Sequence, residues 1–145
     1  MFSPSPPAVN DLPIDYPSWL RLPYSTGVQN KQQGFNCWGL MQAFLKEACG
    51  LDVHSIDVDF NDKRRVELEA HRQLNSGHWQ AIEHPTAFCV VQMSHAVVPH
   101  HVGVYVPVNG GSILHTTQGT SSLLQKRHQV SLLGFHITGY YTFLG

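Results

Sequence analysis

The chain has 145 residues, 42% hydrophobic and 13% charged, and its 9 Lys plus Arg against 10 Asp plus Glu leave a formal charge of −1. This composition fits one globular domain with its own core and excludes broad electrostatic binding to nucleic acid or to an anionic membrane surface. No apolar run approaches the ~18 residues of a membrane span, and the opening MFSPSPPAVNDLP has neither the basic start nor the apolar stretch of a Sec signal, so neither is expected.

Residues 1–17 are rich in Pro and Ser and without periodicity, which predicts an extended arm, with the folded domain covering 18–145. The polar, turn-rich run PYSTGVQNKQQ reads as a loop. Cys37, Leu40, Met41, Phe44, Leu45 and Ala48 then follow i, i+3, i+4, i+7 spacing. They predict an amphipathic helix with Asn36 as N-cap and Gly50 at its C-terminal end. Asn61 to about Asn75 is rich in helix formers with a polar surface, a second and exposed helix whose solvated start carries Lys63, Arg64 and Arg65. From Trp79 on the chain turns to short β-prone runs, WQAIEH, FCVVQM, HVGVYVPV, SILHTTQ, SSLLQKR and GYYTF. Asn109-Gly110-Gly111 marks a hairpin between the third and fourth. Helices followed by strands predict an α+β domain, an antiparallel β-sheet packed against the first long helix.

Cys37, Cys49 and Cys89 cannot close a disulfide set and contain no Cys-x-x-Cys pair, which points to a reduced compartment or a functional thiol. Cys37 stands where a helix begins, and there unpaired N–H groups and the dipole favour a thiolate. Cys49 lies one helix length away, about 18 Å along the axis, and reads as structural, as does Cys89 within a strand run. His101 opens HVGVYV and shares a face with Gly103 and Tyr105. If the hairpin pairs positions whose numbers sum to about 218 to 220, His115 falls near Val104, beside the strand of His101. Nucleophile, base and orienting group then stand as Cys37, His101 and His115. A zinc site among His100, His101 and His115 is disfavoured, because no His-Glu-x-x-His or Cys-x-x-Cys accompanies them. No metal and no cofactor are expected.

Two blocks carry a specific likeness. WLRLPYSTGVQNKQQGFNCWGLMQAFLKEACGLDV resembles the catalytic-helix region of the NlpC family of papain-like cell-wall cysteine peptidases, most of all their phage tail-tip branch, through Pro23, Tyr24, Gly27, Gly34, Phe35, Cys37, Trp38, Gly39 and Leu40. PHHVGVYVPVNGGSILHTTQG resembles the family's base-bearing strand and hairpin, and GYYTF its closing strand. The resemblance implies a papain-like NlpC fold. It implies Cys37 as nucleophile, His101 as general base and His115 as third polar residue, with Tyr24, Asn36 and Trp38 on the substrate and oxyanion side. His101 is preferred over His100 because it directly precedes Val-Gly-Val-Tyr.

The sequence departs from the family at two places. Asn36 stands where Asp is common, and Phe88-Cys89 lies near the place of a missing Gly-Asp pair. The implied substrate is an amide bond of a peptidoglycan stem peptide. The implied setting is a virion, as a phage tail-tip component among other tail-tip proteins, made in the host cytoplasm and acting in the host periplasm and cell wall. Two alternatives stand beside it: a structural tail-tip or baseplate protein with the same fold, and a secreted antibacterial cell-wall amidase.

Overall fold

The computed structural model describes residues 13–145 apart from 57, 60 and 97–100. His100, the neighbour over which His101 is preferred, and most of the N-terminal arm lie outside the described residues.

A short 3-10 helix, Tyr16–Trp19, opens the described chain. Trp19 is buried and packs edge-on against Phe44 at 5.3 Å and stacks on Phe35 at 6.1 Å. Ile14 and Tyr16 also pack on this core, so contact with it begins ahead of residue 18. The long helix α1 spans Cys37–Cys49. Its bounds match the apolar periodicity: Asn36 caps it in extended geometry, and Gly50, at φ 69°, ends it in the left-handed conformation. Its stripe of Trp38, Leu40, Met41, Phe44, Leu45 and Cys49 is buried. Helix α2 spans Lys63–Leu74, with Arg64 and Arg65 exposed at its start.

Six strands follow: β1 Trp79–Ile82, β2 Val90–Ser94, β3 His101–Val106, β4 Ser112–His115, β5 Leu123–Gln125 and β6 His136–Phe143. They form one sheet in the order β1-β6-β2-β3-β4-β5, with antiparallel neighbours throughout. The hairpin register is Val104↔Leu114, Tyr105↔Ile113 and Val106↔Ser112. Val90, Val102, Val104, Val106 and Leu114 join the core around α1, which packs on β3 and β4. Alternation along the strands sends Val91, Met93 and Ile113 to the other face, where they meet Val130 and Phe135. Val130 comes from a third helix, α3, Arg127–Leu132.

This helix is a correction, because the sequence predicts strand through residue 127. With six residues and one buried side chain, α3 carries no apolar repeat by which a helix is recognised.

Candidate active site

The site is built where the start of α1 meets the start of β3. Asn36 Oδ1 accepts from the Gly39 N–H at 2.7 Å, the N-cap bond that fixes the helix start one residue before Cys37. The loop in front is tied to the same turn by Gln29, whose amide oxygen accepts from the Asn36 N–H at 2.8 Å. The Gln29 amide nitrogen donates to the carbonyls of Ser25 and Gly27 at 3.0 and 2.9 Å. A Cβ at position 39 would collide with the Gln29 amide, so a side chain there would push Gln29 out of these hydrogen bonds. Tyr24 and Phe35 pair as an isolated parallel bridge.

This fold of the loop brings the Tyr24 phenol into electrostatic contact with Cys37. Burial first, and then the neighbouring thiolate, push its pKa up to about 12. The phenol therefore keeps its proton, and its O–H stays available as a donor.

Cys37 is half-buried, and the backbone N–H groups of Val102, Trp38 and Cys37 itself lie near enough to its sulfur to favour the anion. The Val102 contact sets the sulfur against the residue next to His101. These donors favour the thiolate, but burial outweighs them, and the thiol pKa is raised. The expectation of a thiolate at rest is corrected on this point: a helix N-terminus stabilises the anion by about 1 kcal/mol, less than its desolvation costs here.

The two histidines meet because of a glycine. Extending the hairpin register by one residue sets His115 opposite Gly103, on the face that also carries His101. A Cβ on Gly103 would lie 2.8 Å from the Leu114 carbonyl oxygen and 3.0 Å from the His115 Cβ. With no side chain there, His101 Nε2 reaches His115 Nδ1 at 2.8 Å, and His115 Nε2 reaches Gln125 Oε1 at 2.8 Å. His101 and His115 are 1% and 0% exposed. Phe135 stacks on the His101 ring at 4.6 Å and meets His115 edge-on at 6.0 Å. Burial lowers the His101 pKa well below its ordinary value, with His115 and His95 adding to the effect, and burial lowers that of His115 against the Gln125 bond. At neutral pH the resting pair is thiol and neutral imidazole. Among the described residues no hydrogen bond joins the Cys37 sulfur to the His101 ring.

Compared with solved structures, the fold has a counterpart. The chain is similar to the crystal structure of the NlpC/p60 domain of the peptidoglycan hydrolase SagA, with a TM-score of 0.52 and 18% identity over 82% of this chain and 86% of that one. No protein-family model matches the sequence, and no curated protein does. The chain has the NlpC/p60 fold.

On that fold the remaining expected site residues divide. Trp38 is a correction. It is 1% exposed, packs edge-on against Trp79 at 6.4 Å and donates its indole N–H to the His54 carbonyl at 2.9 Å, so its ring is core and cannot line a substrate groove. Asn36 is 2% exposed and serves first as the helix cap, while its Nδ2 has no hydrogen-bond partner among the described residues. Cys49 and Cys89 are buried and free, in keeping with a structural reading. Among the described residues no group of three or more His, Cys, Asp or Glu side chains is placed to hold a metal ion. An open cleft of about 400 Å³ lined by His54, Ser55, Arg72, Gln73, Ser76 and His78 shares no residue with this site.

Three residues of the site escape sequence reasoning: Gln29, Gln125 and Phe135. Gln125 could be found by carrying strand pairing one strand further. His115↔Leu123 and Ile113↔Gln125 put it on the His115 face, but the length of the loop after His115 conceals that register.

Proposed function

We propose that the chain is a cysteine peptidase that hydrolyses an amide bond in peptidoglycan stem peptides. The observation that carries this reading is the chain of hydrogen bonds from His101 through His115 to Gln125, set beside a thiol at a helix N-terminus in the NlpC/p60 fold. Similarity to a domain of a peptidoglycan hydrolase supports the substrate class.

In this mechanism His101 takes the proton from Cys37 Sγ as the sulfur attacks the amide carbonyl carbon. The ring nitrogen that does so is Nδ1, since Nε2 is engaged by His115. The resting pair is neutral, so the proton moves with the attack. Charge developing on the carbonyl oxygen is met by the Cys37 backbone N–H and the Tyr24 hydroxyl. His101 then passes its proton to the leaving amine, and a thioester on Cys37 remains. Water gives a proton to His101 and its hydroxide adds to the thioester carbon; the C–S bond breaks, His101 returns its proton to the sulfur, and the product leaves as a carboxylic acid that ionises in solvent.

The resemblance of the two sequence blocks supports the γ-D-glutamyl to diamino acid link, or one near it, as the class of bond cut. The same blocks support action at the host cell wall from a phage tail tip, beside other tail-tip proteins. A structural role with the same fold is the competing reading, favoured by the raised thiol pKa. Dye release from labelled diaminopimelate-type sacculi tests the proposal: the wild type releases dye, while Cys37→Ala and His101→Ala do not. Equal release by wild type and Cys37→Ala would overturn it, and no release by either would favour the structural reading.

A further inference from the structure

Gln125 lies at the end of β5, the sheet's edge strand, half-buried and outside both blocks that resemble the family. Its amide oxygen faces His115 Nε2 at 2.8 Å. An amide oxygen can only accept, so His115 Nε2 must carry the hydrogen. A neutral imidazole has one N–H, which leaves His115 Nδ1 with a lone pair. The partner of that lone pair, His101 Nε2, must then be the donor. His101 Nδ1 is left bare.

From this sequence of forced choices we infer that Gln125 is a positioning residue, the terminal acceptor whose oxygen sets the tautomer of both histidines and so keeps His101 Nδ1 unprotonated to act as base. This rests on the reading of His101 as base, yet the tautomers are observable without any substrate.

The opposite arrangement is sterically identical. With every hydrogen moved along the chain, His115 Nδ1 would donate to His101 Nε2, and His101 Nδ1 would carry the hydrogen and be useless as a base. Phe135 packs equally well against either arrangement, because its contacts with the rings are apolar. His95, which follows β2, acts on His101 through its charge, and Cys37 of α1, which Tyr24 faces, lies against the backbone of Val102. Among the described residues the hydrogen bond recorded at His115 Nε2 is the one to Gln125. The choice therefore falls to Gln125, and its single hydrogen bond corresponds to a preference on the order of tenfold.

The test uses two substitutions of the full chain and two readouts. Gln125→Leu removes the acceptor. Gln125→Glu keeps an oxygen and, when ionised, has no hydrogen to give. Histidine ¹⁵N NMR reads which ring nitrogen of His101 and His115 is protonated, and the pH profile of Cys37 alkylation by iodoacetamide reads the base. In the wild type and in Gln125→Glu, His101 Nδ1 and His115 Nδ1 are bare. The carboxylate introduced by Gln125→Glu moves the acid limb of the alkylation profile to higher pH, because its charge favours imidazolium. In Gln125→Leu the tautomers mix toward equal populations, so the share of His101 with a bare Nδ1 falls from about nine-tenths to about half and Cys37 alkylation slows about twofold. Two results would overturn the inference: Gln125→Leu with wild-type tautomers, or Gln125→Glu behaving like Gln125→Leu, which would mean that the amide donates rather than accepts. If the tautomers respond as expected while wild-type protein releases nothing from sacculi, the peptidoglycan reading fails and the role of Gln125 stands.

Discussion

Gly103→Ala isolates the strand geometry on which the histidine pair depends. The added methyl carbon would sit 2.8 Å from Ile113 Cγ2, 2.8 Å from the Leu114 carbonyl oxygen and 3.0 Å from the His115 Cβ. The isoleucine methyl has some freedom, but the carbonyl oxygen belongs to the adjacent strand and moves only if β3 and β4 part. Overpacking in a tight core costs about 1–3 kcal/mol, and a backbone obstacle puts this site near the upper end. For a domain of this size each kcal/mol lowers Tm by about 3 °C, so a fall of roughly 6–9 °C is expected. Gly77→Ala is the control, because a Cβ there meets nothing within 4 Å, and its expected change is within about 0.5 kcal/mol. Thermal unfolding followed by circular dichroism measures both. The same methyl widens the 2.8 Å His101–His115 bond, so release from sacculi falls even below the melting range. A Gly103→Ala variant that melts within a degree of wild type would refute the reasoning, since the strands would then have room that the geometry denies them.

Further predictions come from the site itself. His101 and His115 are held neutral by burial, whereas the unfolded chain protonates them at the ordinary value of 6.5, so the native state loses stability as pH falls below that value. At about 1.4 kcal/mol per pH unit for each ring, the loss between pH 7 and 5.5 reaches up to roughly 3 kcal/mol, and a flat Tm across that range would contradict the burial argument. Iodoacetamide labelling, read by mass spectrometry, is expected to favour half-buried Cys37 over buried Cys49 and Cys89 and to accelerate above pH 8, because the thiol pKa is raised; a plateau already reached at pH 6 would show a standing thiolate. Asn36→Ala removes the N-cap and is expected to cost about 1 kcal/mol in urea unfolding, whereas Asn36→Asp retains the cap.

The parts of the molecule legible in the sequence are those set by local pattern. Helix α1 follows from its apolar spacing and from Asn36 and Gly50, and both ends fall where those residues put them. The β3–β4 hairpin pairs Val104 with Leu114, a sum of 218 that lies within the range set by the turn residues, and this is what brings His115 to His101. Parts that depend on tertiary placement are not legible. Cys37 has the same neighbours in sequence whether its sulfur is solvated or buried, so the contest between helix N–H groups and desolvation is decided only by what packs over it. Trp38 sits one residue from Cys37, yet helix geometry turns it inward to Trp79. Gln125 and Phe135 arrive from β5 and from the turn after α3, elements whose register and existence no short periodic signal announces.

The most direct test of the central claim is the chemistry of the products. Purified diaminopimelate-type peptidoglycan is digested with the wild type and with Cys37→Ala, and the soluble muropeptides are identified by mass spectrometry. Fragments made only by the wild type are expected, each cut within the stem peptide to leave a new carboxylate and a new amine, with the glycan strand intact. Fragments that Cys37→Ala also makes, or cuts confined to the glycan, would contradict the claim.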